Sequence, residues 1–257
     1  LGKHMDVVLE DDVACPRYYA LQVDGVTNQA SPEWLQRRLQ AIGIKSMNIL
    51  VDATNYSMHT LGHPLHAFDS QAMDGQLVVR RAKQQEVLTT LDGIERKLHK
   101  EDLVIANSKQ ALALAGLYGG DKSGVKDSST SIVIESAWFD PVVIRKAAKR
   151  HSLSTDASFR YERGVDPSKG LQALQLAWTL IKDSCPKARI AGLSGKVIAD
   201  KRFDPRQIPI DIQAINRLIG HSIDPKAIQG ILQSLDIDVL EEKDHLWTIS
   251  IPAYRWD

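Results

Sequence analysis

The chain has 257 residues, 43% of them hydrophobic and 25% charged, the usage of an ordinary globular protein rather than a disordered or fibrous one. At roughly 150 residues per domain, this length suggests about two domains. Lys plus Arg (32) balance Asp plus Glu (32), and aromatics make up only 6%, which excludes a globally basic nucleic-acid wrapper and argues against a broad stacking platform for single strands.

No apolar run approaches the ~20 residues that a membrane helix needs, and no charged-then-apolar leader opens the chain. Cys15 and Cys185 stand far apart with no CxxC pair, so a reduced, cytoplasmic protein is expected. Residues 1–5 (LGKHM) read as a cloning remnant at the start of an N-terminal extension over 1–12. At the other end, Ile251-Pro-Ala-Tyr-Arg-Trp-Asp257 stops directly after a strand-like run, as expected of a piece of a longer polypeptide.

Ser31-Pro32 places a side-chain acceptor at an N-cap and a proline in the first turn. This predicts a helix carrying Trp34, Leu35, Leu39 and Ile42 inward and stopping at Gly43. Runs at 49–51, 77–79, 103–105 and 132–134 predict strands, and Asp92-Gly93 predicts a hairpin between 87–91 and 95–98. Asp140-Pro141 opens a second helix and Asp166-Pro167 a third, with Leu171, Leu174, Trp178 and Ile181 on its buried stripe. Strands in the middle, with helices towards both ends of 17–190, favour α+β over alternating α/β. A charged, proline-bearing stretch at 199–206 reads as a linker. Beyond it come a strand at 208–212, a helix around 214–219, and a helix from Asp224-Pro225 with Ile228, Ile231, Leu232 and Leu235 inward. A hairpin follows, turning at 241–245 and returning over 247–251. That β-α-α-β-β order resembles a winged-helix module.

Gly116-Leu-Tyr-Gly-Gly-Asp-Lys-Ser123 is one substitution from a phosphate-binding loop. Asp121 would set a carboxylate against the phosphates, however, and no helical pattern follows. Gly116, Gly119, Gly120 and Gly124 read instead as close backbone approach or a surface loop. His59, His63 and His66 with Asp69 have zinc-binding chemistry, but Gly62 and Pro64 deny them a shared helix face. His59 and His63 are read as exposed or hydrogen-bonded histidines, and no metal is expected. The one dense basic stretch holds Arg145, Lys146, Lys149, Arg150 and His151, with Arg160 and Arg163 beyond. It reads either as a solvated helix end or as a phosphate contact. No G-x-S-x-G elbow is present and neither cysteine has a histidine close in sequence, so a hydrolase built on this chain would activate water.

Five runs together resemble the B3/B4 region of bacterial phenylalanyl-tRNA synthetase β subunits. They are Ala14-Cys-Pro-Arg-Tyr18, Val51-Asp-Ala-Thr-Asn-Tyr56, Gly62-His-Pro-Leu-His-Ala-Phe-Asp69, Leu112-Ala-Leu-Ala-Gly-Leu-Tyr-Gly-Gly120, and the pair His151-Ser-Leu-Ser-Thr-Asp-Ala-Ser158 with Arg160-Tyr-Glu-Arg-Gly-Val-Asp-Pro167. Ile215-Asn-Arg-Leu-Ile-Gly220 and the closing Tyr254-Arg-Trp-Asp257 resemble the adjoining B5 domain. The resemblance implies an α+β, layered β/α editing domain over 13–198, followed by a small winged-helix-like B5 domain over 199–257.

The activity it implies is hydrolysis of tyrosine wrongly esterified to tRNA(Phe), with a non-catalytic tRNA-contacting or subunit-scaffolding module as the alternative. A pocket built for phenylalanine rejects an added hydroxyl by only ~10²-fold, so a second sieve is needed. A buried acceptor makes that sieve prefer tyrosine, since phenylalanine leaves it unpaired. Residue by residue, the resemblance gives Glu135 the tyrosine hydroxyl and His66 the ester or the attacking water. It makes Thr54, Asn55, Gly119, Thr155 and Ala157 the substrate-binding positions and Arg145, Lys149 and Arg150 weak tRNA contacts. The family motif usually has glutamine where this chain has His63. No cofactor is implied for this stretch; ATP and Mg²⁺ belong to the whole synthetase, an assembly of two α and two β subunits. The implied partners are tRNA(Phe) and the α subunit, with neither membrane nor DNA.

Overall fold

In the computed structural model, which describes residues 5–255, the chain forms two units, Leu1–Ala199 and Asp200–Asp257, each with its own apolar core. The first runs β1 (Asp6–Leu9), β2 (Arg17–Asp24), α1 (Glu33–Ala41), α2 (Ile49–Leu61), β3 (Leu65–Asp69), β4 (Gln76–Arg81), β5 (Val87–Thr89), β6 (Glu95–Lys97), β7 (Leu103–Ala106), β8 (Ala111–Leu114), β9 (Tyr118–Gly119), β10 (Ser131–Trp138), α3 (Pro141–His151), α4 (Asp156–Tyr161), α5 (Gly170–Ser184) and β11 (Arg189–Val197). This is the α+β class expected from the sequence.

Two large sheets and a two-stranded ribbon, β5-β6, make up the first unit. A four-stranded antiparallel sheet has the order β11-β2-β10-β3, and a five-stranded sheet has the order β1-β4-β7-β8-β9. Because side chains alternate along a strand, β10 sorts its residues onto two faces. Ile132 and Ile134 join Leu21 and Val23 of β2 in packing against Leu35, Leu39, Leu50, Leu174 and Ile181 from α1, α2 and α5. The opposite face carries Glu135 of β10, which stands in register with His66 of β3 and Ala20 of β2.

Several elements differ from the sequence expectation. Residues 49–51 begin a helix, not a strand: Asn48 accepts from the backbone N–H of Leu50 and Val51, and Gly62 closes α2 in the left-handed region. The side chain of Ser31 does not cap α1; its hydroxyl donates to Asp52 instead (2.6 Å). Leu35 and Leu39 are buried there as expected, whereas Trp34 and Ile42 are exposed. Asp166 caps a turn at Ser168, so the third helix begins at Gly170 and leaves Leu171 exposed. Met5 is buried and residues 6–9 pair in parallel with β4, so this part of the supposed extension belongs to the sheet. Leu1 to His4, Trp256 and Asp257 lie outside the described residues.

The second unit runs β12 (Arg206–Asp211), α6 (Ile212–Ile219), α7 (Pro225–Ser234), β13 (Asp238–Lys243) and β14 (Leu246–Ile251). Its antiparallel sheet has the order β12-β14-β13. Asp211 and Asp224 cap the two helices, and Gly220 ends α6 in the left-handed region. Ile212, Ile228 and Trp247 are its core, while Ile231 and Leu235, expected inward, are exposed.

Candidate functional site

Between the two sheets of the first unit lies a cavity of about 60 Å³, four to six times the space one water needs. Its lining includes His66 from β3, Glu135 from β10, Gly119 from β9, and Ala157 and Tyr161 from α4. Gly116 and Leu117 of the loop before β9 close one side.

Glu135 is almost fully buried. Loss of solvent pushes its carboxyl up to about 7, against which a hydrogen bond from the Tyr18 hydroxyl to Oε2 (2.6 Å) favours the charged form. Tyr18 reaches it diagonally across the sheet: it pairs with Ala137, two residues along on the same face. His66 is pushed down to about 4 by burial, so its imidazole is neutral at pH 7. Its ring packs edge-on against Phe68 with centroids 4.4 Å apart, and its buried Nε2 has no hydrogen-bond partner among the described residues. The imidazole lies over Gly119, where an added Cβ would stand 2.7 Å from Cε1 and 2.9 Å from Nε2.

The arrangement sets a titratable acid and a neutral imidazole directly opposite each other on adjacent strands, facing one shared cleft. Chemically it can accept a hydroxyl donor at the carboxylate and hold a water or carbonyl group near the imidazole.

The other expected positions lie at different distances from this space. Ala157 lines it. Thr155 supports it from behind: its hydroxyl donates to the Leu117 carbonyl (3.1 Å) and accepts from the Ser158 N–H in a capping box. Thr54 donates to Val51 of its own helix, and neither Thr54 nor Asn55 is among the lining residues. Arg150 is engaged by Glu101 (2.9 Å) and by the buried Asp102, and Arg145 donates to the Glu162 carbonyl. Tyr18 and Tyr161 carry no role that the sequence alone reveals. The strand register that puts Tyr18 on the face of Glu135 is the signal that finds it.

The glycine-rich run does not form a phosphate-binding loop. Gly120 donates to the Leu112 carbonyl (2.9 Å), an added Cβ at Gly120 would stand 2.4 Å from that oxygen, and no helix opens after Ser123 until α3. The residues present therefore do not fit a nucleotide triphosphate. The histidines diverge as well. His63 is buried with Nε2 3.0 Å from the Ser136 hydroxyl on the helical side of β10, and His59 meets Arg160 (3.1 Å). Among the described residues, no group of three or more His, Cys, Asp or Glu side chains is placed to hold a metal ion.

The chain belongs to the B3/4 domain family, whose model matches residues 14–186, and the tRNA synthetase B5 domain model matches residues 208–257. It is similar to phenylalanine–tRNA ligase beta subunits, which bears out the resemblance read from the short runs. Identity is 39% over 255 residues with that of Bacteroides fragilis, covering 98% of this chain and 30% of the relative. It is 40% over 259 residues with that of Porphyromonas gingivalis, covering 100% and 31%. The chain thus spans less than a third of the length of these curated relatives. Among solved structures, an N-terminal fragment of the phenylalanyl-tRNA synthetase beta subunit from Pyrococcus horikoshii matches with a TM-score of 0.47 at 14% identity, covering 98% of this chain and 70% of that chain.

Proposed function

We propose that residues 13–198 form an editing domain that hydrolyses Tyr-tRNA(Phe), and that 199–257 form an attached B5 domain. The observation that carries this reading is the buried Glu135 opposite His66 in one cavity roofed by Gly119. An ionised Glu135 accepts the phenolic O–H of a misattached tyrosine, whereas phenylalanine strands the same buried carboxylate. The difference is ~1–3 kcal/mol or more, about ten- to a hundredfold in rate.

Hydrolysis then needs a water beside the ester carbonyl. His66 suits that part because it is neutral near pH 7 and its Nε2 has no other partner. Water adds to the carbonyl carbon, the bond to the ribose oxygen breaks, and the products are free tyrosine and tRNA with its terminal hydroxyl restored. Electrostatic guidance of the acceptor end falls to Lys146 and Lys149 on the exposed face of α3 rather than to Arg150, which already has two carboxylate partners.

By the same reading, aminoacylation with ATP and Mg²⁺ and pairing with an α subunit belong to the longer cytoplasmic enzyme. For 199–257 itself a scaffolding role is favoured by Leu218 (89% exposed), Ile219 and Leu246, which stand in solvent on so small a unit.

The test is deacylation of Tyr-tRNA(Phe) and Phe-tRNA(Phe) by wild type and Glu135→Ala. Loss of the tyrosine preference in a folded variant supports editing. Absence of turnover in both proteins, in this chain and within an intact synthetase, would leave only the scaffold.

A further inference from the structure

Within the editing reading, we infer that Tyr18 is the positioning residue for Glu135: its phenolic O–H, held on Oε2, keeps the carboxylate oriented and charged and leaves Oε1 for the phenol of the substrate. The inference rests on that reading and adds to it the group that governs when the acceptor works.

The geometry is specific. Tyr18 is fully buried, and its hydroxyl donates to Oε2 at 2.6 Å. Tyr18 is the one hydrogen-bond partner of the Glu135 carboxyl group among the described residues, and Glu135 lines the cavity, so Oε1 is the oxygen open to a ligand. The site thus already contains one phenol bonded to this carboxylate, which shows the approach that a second phenol would take to the free oxygen.

Among the described residues, no cation offsets the burial of this acid. The titratable groups facing it are Cys15 and Tyr18 from β2 and the segment before it, Tyr161 from α4, and His66 across the β3 pairing. Proximity of the Glu135 charge helps push both tyrosines and the thiol up, so they stay protonated, and burial keeps His66 neutral near pH 7. Burial raises Glu135 to about 7, and the Tyr18 bond works the other way. A carboxyl balanced at that point is sensitive to one donor. In its protonated form it is a poorer acceptor for the substrate hydroxyl, so preference for tyrosine should follow its titration.

Tyr18→Phe removes the donor and leaves the ring. We expect the midpoint of Glu135, read from its side-chain carboxyl carbon by NMR on this chain, to move up by about one pH unit. The ratio of Tyr-tRNA(Phe) to Phe-tRNA(Phe) deacylation at pH 7 should fall by about fivefold and recover at higher pH. 3-Fluorotyrosine placed at position 18 alone, a stronger donor of nearly the same volume, should move the midpoint down, and it serves if the phenylalanine variant does not fold.

A purely structural Tyr18 would alter stability and leave the midpoint where it is. A midpoint unmoved by either replacement overturns the inference. Absence of Tyr-tRNA(Phe) turnover in wild type and variants alike, within an intact synthetase, overturns the editing reading itself, a separate outcome.

Discussion

Replacing Gly119 by alanine adds a single methyl group at the point where the cavity has least to give. Gly119 lies in β9 outside the left-handed region that favours glycine, so the cost is steric alone. The new Cβ would meet His66 Cε1 at 2.7 Å, His66 Nε2 at 2.9 Å and Leu91 Cδ1 at 3.0 Å. Relaxed carbon contacts lie near ~3.5–4.0 Å, so the imidazole must shift by nearly 1 Å. It cannot retreat freely, because its ring is packed edge-on against Phe68. Overpacking of this kind costs about 1–3 kcal/mol, which for a unit of this size lowers the melting temperature by about 2–4 °C per kcal/mol. On the editing reading, a displacement of about 1 Å also costs on the order of 10²-fold in rate. Thermal unfolding and Tyr-tRNA(Phe) deacylation should therefore both fall in Gly119→Ala. Unchanged melting together with unchanged deacylation would refute the placement of His66 over Gly119 and its part in the chemistry.

Further expectations concern pH, charge and the second unit. Glu135, raised to about 7, favours the folded state below the ordinary carboxyl range, and that contribution is lost as pH rises from about 4.5 through 7. His63 and His66, both lowered to about 4, contribute above about 6.5 and lose it as pH falls through 4. Each displacement is worth about 3 kcal/mol at its limit, so in the overlapping window two histidines outweigh one acid and net stability falls towards low pH. Urea titrations should show His63→Gln with His66→Gln reversing the slope between about pH 4.5 and 6.5 and Glu135→Gln steepening it; parallel curves would contradict the burial of these groups. Arg150→Ala strips a partner from the fully buried Asp102 and should cost about 3 kcal/mol, measured by denaturant unfolding. Lys149→Ala should leave stability unchanged and lower the salt dependence of tRNA affinity by about one phosphate contact. Trp247→Ala removes the largest side chain of the small core of the second unit, a loss of about 3–5 kcal/mol. Its amide spectrum should show residues of that unit melting while Leu1–Ala199 keeps its dispersion; cooperative loss of both would contradict the two-unit division.

What could be read in advance depended on how local the physics was. Asp140-Pro141 and Asp224-Pro225 open helices as expected because a cap is settled within three residues. Asp92-Gly93 turns the hairpin as expected because Gly93 supplies the positive φ that the turn needs. The start of α2 reads as a strand because Ile49, Leu50 and Val51 have no periodicity of their own, and the deciding signal is Asn48 just before them. Asp166-Pro167 misled because its carboxylate serves a turn, and the helix waits for Gly170, where an added Cβ would stand 2.9 Å from the Ser136 hydroxyl. The pairing of Glu135 with His66 is a long-range register that no pattern within either strand contains. Resemblance named those two residues singly; only the sheet makes them neighbours and brings Tyr18 to the same carboxylate.

The recognisable stretch 14–186 is shorter than the piece of chain that closes upon itself. β1 lies before it and β11 after it, and each borders a different sheet. A version trimmed to those limits would bare one margin of β4 and one of β2, the strand that bears Tyr18, leaving two rows of backbone donors and acceptors ready to recruit other chains. Soluble behaviour should return when residues 5–199 are kept whole, because the outermost strands serve here as selvedges, keeping the weave from unravelling into its neighbours.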